Sequence, residues 1–315
     1  MKCRGKFLIP VGLILLAGCA SGSGVGNAVL PSEVDSRERN AAIGREAPNS
    51  TLLLAKGWKS LDAGDHRSAY EHFSRVLQSD SSNTDALSGL GESMLAGGEP
   101  EKALSVFAKL DQTSEGSAVA LQGQGLALLV MGQYPKAEAF LAKAIQKDSD
   151  LWRSWNALGT IKDHAGLWEE ARKDYAKALK VNPNAIEAMN NRGISFLWQR
   201  KYEDAEKVFK DVLHRAPNLA QARTNLRLAL AWQGKYVEAL TGTRKDEMVI
   251  VLNNLGYIAT KRGDYEFAEA YLAQAMQMSP AYYSKAAENL EYLRQLKRAE
   301  KAKKTDLSLD NKSKK

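Results

Sequence analysis

Six alanines stand at one fixed interval in this chain: Ala69, Ala103, Ala137, Ala171, Ala205 and Ala239, each thirty-four residues after the last. Glycines keep the same step twice, as Gly57, Gly91, Gly125, Gly159, Gly193 and as Gly64, Gly98, Gly132, Gly166, Gly234. A period of this length marks one supersecondary unit that cannot bury its apolar face alone and is stable only when about three or more copies stack. With each repeat numbered so that its alanine is the twentieth residue, large apolar groups fall at the fourth, seventh and eleventh places, as in Trp155 and Leu158 or Met189 and Phe196. That spacing lines one face of a first helix. The eighth-place glycine and the twentieth-place alanine are small, so a second helix can approach the first closely. Phe73, Phe107, Tyr175 and Phe209 follow their alanines by one helical turn and fill the groove between the two. Pro183, Pro217 and Pro280 close second helices, because proline clashes with the preceding turn.

Seven such units begin near Ser50, Thr84, Ala118, Trp152, Ile186, Ala220 and Val249 and occupy residues 50–280. The pattern resembles the tetratricopeptide-repeat (TPR) family. The resemblance implies an all-α superhelical solenoid of about seven helix-turn-helix repeats that works as an interaction scaffold. Repeat six departs from it: Arg227 replaces the eighth-place glycine, Thr243 replaces the aromatic, and only twenty-nine residues separate Ala239 from Ala268. Its second helix is therefore expected to be short, with Gly242 weakening it further. Either this is a tolerated irregularity or it exposes an edge to a partner. After Pro280, residues 281–304 read as a capping helix with Tyr283, Ala287, Leu290 and Leu293 on its apolar stripe, and 305–315 as a basic, disordered tail.

The amino terminus carries an address. Lys2, Arg4 and Lys6 are followed by the apolar run Phe7 to Leu16 and by Leu16, Ala17, Gly18 and Cys19. This resembles a bacterial lipoprotein signal with its lipobox, which implies a signal peptide over 1–18 and Cys19 lipidated as the first mature residue. A transmembrane anchor is the competing reading, but about ten apolar residues is half of the roughly twenty a bilayer needs. Ala20 after the cysteine implies outer-membrane retention by the lipoprotein sorting rule. Acyl chains contribute about 0.8 kcal/mol per buried methylene, so two or three of them, palmitate among them, hold a protein firmly. Residues 19–49, rich in Gly, Ser and Asn, form a flexible tether spanning roughly 30 Å. Cys3 and Cys19 are the two cysteines, so the mature chain has no thiol left for a disulfide and must rely on helix packing.

The formal charge of +7 invites a nucleic-acid reading that its distribution removes. Lys2, Arg4 and Lys6 account for three of the seven. The stretch from Arg294 to Lys315, with nine Lys or Arg against Glu300, Asp306 and Asp310, accounts for six, and residues 19–293 carry a net −2. A slightly acidic array is a poor ligand for nucleic acid. The basic end is either a solvated extension or a contact for an anionic envelope polymer or membrane surface. Catalytic signatures are lacking: His66, His72, His164 and His214 are isolated, and no HExxH motif or GxSxG elbow occurs. The chain is expected to be no enzyme and to need no cofactor or metal.

What remains is the stripe at places two, five, nine and twelve of the first helices, about 100° round from the packing face, which in TPR proteins lines the concave groove. In the later repeats this stripe and its neighbours hold Asn156, Thr160, Asp163, His164, Asn190, Asn191, Ile194, Trp198, Asn225, Leu228, Trp232, Asn253, Asn254 and Tyr257. Asparagine pairs with a peptide backbone through both donor and acceptor, and Trp198 and Trp232, each at place thirteen, offer apolar anchors. The competing reading has the asparagines and tryptophans packing between repeats. The run from Asn253 to Leu293, preceded by a shortened repeat, resembles the TPR lipoproteins of tight-adherence (Flp) pilus assembly. That resemblance implies a pilotin-like assembly scaffold whose partners are a secretin or other pilus components. An adaptor for peptidoglycan hydrolases or an envelope protease is the alternative.

Overall fold

The computed structural model describes residues 49–114, 116–278 and 283–313, all of them in helices or the short turns between them. The expected signal peptide, the lipidated Cys19 and the tether up to residue 48 lie outside the described residues. First helices are α1 (Asn49–Asp62), α3 (Thr84–Ala96), α5 (Ala118–Val130), α7 (Trp152–His164), α9 (Ile186–Trp198), α11 (Ala220–Trp232) and α13 (Met248–Arg262). Each begins within one residue of the start that the period assigns. Second helices are α2 (His66–Ser79), α4 (Pro100–Thr113), α6 (Tyr134–Lys147), α8 (Trp168–Val181), α10 (Tyr202–Arg215), α12 (Tyr236–Leu240) and α14 (Tyr265–Met278), and α15 (Tyr283–Ser313) follows them. The chain divides into two compact units within α9, one ending at Ser195 and one starting at Phe196.

The ladder residues do what their size dictates. Ala69, Ala103, Ala137, Ala171, Ala205, Ala239 and Ala268 are all fully buried. A Cβ on Gly57 would stand 2.7 Å from the ring of Phe73, and one on Gly91 would stand 2.6 Å from the ring of Phe107. Phe73 also lies against Gly89 of the following repeat, and Phe107 against Gly123, so each ring is clamped between glycines of two successive repeats. Where the ring is replaced by the smaller Leu141, the next repeat has Ala157 at the corresponding place, and both are buried. Close packing of this kind leaves no slack for an added methyl.

The turn inside each hairpin needs a left-handed residue. Gly64, Gly98, Gly132, Gly166 and Gly234 occupy it with φ between 70° and 80°, and in the first the Asp65 amide donates to the Ser60 carbonyl at 2.8 Å. This is the helix-terminating loop that satisfies the last free carbonyls. In repeat five the same place is Arg200, at φ 61°. Its loop keeps the same bond, Lys201 amide to Phe196 carbonyl at 2.9 Å.

In the second unit, α12 stops after five residues where the other second helices have fourteen. No ring stands at its twenty-fourth place, so the first helix no longer needs glycine at its eighth. Arg227 takes the room, donating to the Glu247 carboxylate at 2.9 Å and to the Gly242 carbonyl at 3.4 Å. Its side chain is only 11% exposed. Residues 241–247 are thus held back on α11 by one guanidinium.

The helix α15 closes the second unit. Ala286, Leu290 and Leu293 are buried against the core of Leu252, Leu255, Leu272 and Ala275. The apolar stripe therefore runs through Ala286 and not Ala287, which is half-buried. The helix also continues to Ser313, past the expected end at Lys304, so the stretch assigned to a disordered tail is helical through residue 313. Lys297 reaches Glu269 at 2.9 Å, and Tyr265 donates to Glu300, fastening this helix along α14.

Candidate peptide-binding face

In the first unit, places two, five and nine of successive first helices come together on one open groove of about 790 Å³. Trp58 stands at place nine of repeat one. Asp85, Ser88 and Glu92 hold places two, five and nine of repeat two, with Gln122 at place five of repeat three and Arg153 at place two of repeat four. Residues 3.6 per turn put these places on one face, and stacking the hairpins sets the faces side by side. The groove's ends are built from inter-repeat turns, including Ser114, Ser117, Asp150 and Asn182.

The wall is ordered by its own polar contacts. The Arg153 guanidinium makes a two-pronged pair with Glu92 at 2.8 and 2.9 Å, from repeat four to repeat two. The two side chains are only 12% and 15% exposed. Such a fork fixes both side chains more strictly than a single contact does. Arg153 Nε is buried with no hydrogen-bond partner, leaving one donor uncommitted. The Trp58 indole donates to Asp85 at 3.0 Å, and Ser154 donates to the Gln122 side-chain carbonyl at 3.0 Å. These internal bonds hold the wall in place and Trp152 belongs to the core beneath it, while Trp58 with Asp85, Ser88 and Asn182 keeps surface open to the groove. That is the chemistry of binding a polypeptide backbone.

The candidates named from the later repeats are placed differently. Asn191 donates to the Asn156 side chain at 3.1 Å, and Asn289 of α15 donates to Asn253 at 3.0 Å. These bonds span thirty-five and thirty-six residues and join consecutive first-layer helices. Asn190, Asn225 and Asn253 are buried, while Asn156, Asn191, Asn254, Ile194, Leu228, Trp198 and Tyr257 are half-buried. Trp232 stacks on Tyr202 with ring centroids 5.6 Å apart and planes 7° from parallel, and its carbonyl accepts from Arg262. Leu228, Trp232 and Tyr257 also pack against the core of the second unit. Asn156, Asn190, Asn191 and Ile194 belong to the first unit, and the others to the second.

Asp163 is fully enclosed, accepting from Tyr175 at 2.8 Å and Ser195 at 2.7 Å. Burial pushes its carboxyl up to about 6, with the two hydroxyls pulling the other way. His164 stacks on Tyr134 at 4.7 Å, and burial lowers its imidazole. Ser195, Asp163 and Tyr175 are each sealed from solvent, so the cluster is a structural joint between α7, α8 and α9. Among the described residues no group of three His, Cys, Asp or Glu is placed to hold a metal ion, and no helix is long and apolar enough to cross a membrane.

The groove residues Trp58, Asp85, Ser88, Glu92, Gln122 and Arg153 were not singled out from sequence. The signal was present: the place numbers that marked the later repeats apply unchanged to repeats one to four.

Tetratricopeptide-repeat models match residues 60–125, then 123–186, 156–220 and 190–244, and finally 250–279. No curated protein matches the chain in sequence. Solved structures do resemble it. A thermophilic TPR protein of Thermus thermophilus is 17% identical, with a TM-score of 0.52 over 61% of this chain and 98% of its own. PilF of Pseudomonas aeruginosa is 21% identical, with a TM-score of 0.50 over 67% of this chain and 98% of its own. The APC/C hetero-tetramer Cut9–Hcn1 is 17% identical, with a TM-score of 0.57 over 82% of this chain and 46% of the matched one. These likenesses show the fold. With helical hairpins at the expected period and repeat models matching well over half of the 315 residues, the chain belongs to the tetratricopeptide-repeat family, a family of protein-interaction scaffolds.

Proposed function

We propose that this protein is a non-enzymatic scaffold that holds an extended polypeptide segment in the groove of repeats one to four. It does so at the periplasmic face of an outer membrane to which Cys19 anchors it. The observation that carries the binding role is the groove itself, with Arg153 and Glu92 fixed across two repeats. Trp58, half-buried at place nine of repeat one, supplies the apolar contact that concentrates binding energy in a few side chains. Membrane anchoring is supported by the lipobox ending at Cys19 and by the Gly- and Ser-rich stretch that follows.

The cargo we assign is a segment of a pilus or secretion machine, such as a secretin subunit during assembly. The support is the lipobox, the tether and the shortened penultimate repeat, which together resemble the tight-adherence pilus lipoproteins. A purified secretin subunit, titrated against the parent and against Trp58→Ala, tests the reading. Binding weakened about tenfold or more by the substitution, at unchanged helix content, is expected. Equal binding by both proteins removes the groove from the function, and no binding by either removes the secretin. Cys19→Ser is expected to leave the membrane fraction, and a form that stays there overturns the lipid anchor.

A further inference from the structure

The four places nineteen, twenty-three, twenty-six and thirty of a second helix form one stripe, since they lie four, three and four residues apart. In repeats two to five this stripe carries at least two charges each time, as Lys102 and Lys109, or Lys136, Lys143 and Lys147, or Glu170, Asp174 and Lys177, or Asp204, Asp211 and Arg215. In repeat seven it is Phe267, Tyr271, Gln274 and Met278, with no charge at all. The stripe faces the second helix of the preceding repeat: Val106 packs into the core of repeat one, and Phe267 and Tyr271 meet Tyr236 of α12 at 5.3 and 5.8 Å.

The preceding helix is the one cut short at Leu240. A regular second helix continues for nine more residues, about 14 Å at 1.5 Å per residue. Those missing turns are the ones that would run past Tyr271 and Met278. The loop that replaces them is drawn to α11 by Arg227. Phe267 is 52% exposed, Met278 41% and Val237 of α12 76%. The stripe has thus turned apolar in the one repeat whose neighbouring helix ends early.

We propose that this face of α14 seats an amphipathic helix of about three turns from a partner protein, which lies where α12 breaks off. A helix fits because the exposed residues follow helical spacing over about 17 Å and sit within a layer of helices, whose axes pack 8–10 Å apart. The contact residues of the partner are apolar and uncharged, to match the stripe. One helix face of that length offers far less than the roughly 800 Å² per partner of a stable interface, so the stripe alone does not hold a permanent dimer and the docked helix is a weak, transient contact. The inference is independent of the groove in repeats one to four.

Phe267→Lys and Met278→Lys test it, since lysine already stands at the same places in repeat three as Lys136 and Lys147. The probe is a synthetic sixteen-residue amphipathic peptide with leucines at four- and three-residue spacing, titrated by fluorescence anisotropy against the full chain. A peptide of the same composition with scrambled spacing serves as control. Binding of the amphipathic peptide with a gain of helix signal is expected, together with at least tenfold weaker binding to each lysine variant and to the scrambled peptide. No binding, equal binding of both peptides, or binding unchanged in both variants overturns the proposal. Light scattering and a photo-crosslinker at position 267 identify the occupant: a dimer that the lysine variants dissociate means a second copy, and an adduct within one chain means the protein's own segment. Either outcome overturns a partner helix.

Discussion

In repeat two the eighth place of the first helix is Gly91, and the ring of Phe107 lies where its side chain would begin. In repeat six the same place is Arg227, no ring stands opposite, and a guanidinium pairs with Glu247 in the vacated space. One joint is closed by dispersion and shape, the other by a half-buried ion pair. The difference teaches that the small residue is a response to its neighbour and not a property of the repeat. Removing the ring frees the eighth place, and the sequence then uses the freedom for a polar clip that replaces nine residues of helix.

Opposite changes in size at the eighth place should destabilise both joints. Gly91→Val sets a branched side chain into the Phe107 ring and is expected to cost about 3 kcal/mol, read as a lower urea midpoint. A midpoint equal to the parent's would mean the ring yields easily and the contrast is empty. Arg227→Gly, which restores the regular residue, is expected to destabilise by about 2 kcal/mol, because it strands Glu247 and leaves the Gly242 carbonyl without its donor. Stabilisation by that change would show that repeat six tolerates its arginine and does not need it.

Asp163 sharpens the comparison from inside the regular region, where a carboxylate is enclosed without a cationic partner. Its folded-state value, about 6, lies above the ordinary 3.8. The stabilising effect of protonation is complete below about pH 4 and is lost as pH rises through about 6. Asp163→Asn is therefore expected to raise stability at pH 8 by about 1–2 kcal/mol, the gain being reduced by weaker bonds from Tyr175 and Ser195. It should also flatten the dependence between pH 4 and 7, which denaturant melts across that range would register. The smallest effect is expected at Arg200, the one described non-glycine residue with positive φ. Arg200→Gly relieves that backbone at the cost of extra unfolded-state freedom, for a net gain of about 0.5–1 kcal/mol in thermal unfolding.

The helices were legible because alanine, glycine and the ring at place twenty-four obey a strict size rule, and a strict rule leaves a period. Repeat six was legible as an exception for the same reason. The binding face was legible only in part. Place numbers identify a stripe, but whether Asn156 meets solvent or Asn191 depends on a bond between repeats that one sequence does not spell out. Trp232 shows the same limit, since its partner Tyr202 comes from another repeat. The end of α15 was misjudged: lysines suggested a solvated tail, yet the helix runs on through residues 305–313, a stretch of mostly Thr, Asp, Ser and Asn for whose helicity intrinsic preference gives no reason.

Phe73 touches Gly57 in its own hairpin and Gly89 in the next, so the contact that seals a repeat also belongs to its successor. The seam is the same chemistry wherever a ring at place twenty-four meets glycines at places eight and six. Place six is Gly89 and Gly123 in repeats two and three but Ala157, Asn191 and Asn225 in the next three, so a gained or lost block of thirty-four codons keeps a seam intact only where the ring and the place-six residue still match. The length of the array is in that sense quantised. The interval of twenty-nine residues between Ala239 and Ala268 lies outside the count. A crossover within it joins Arg227 to a ring or a glycine to Glu247, so the segment from repeat six onward is inherited as one indivisible piece.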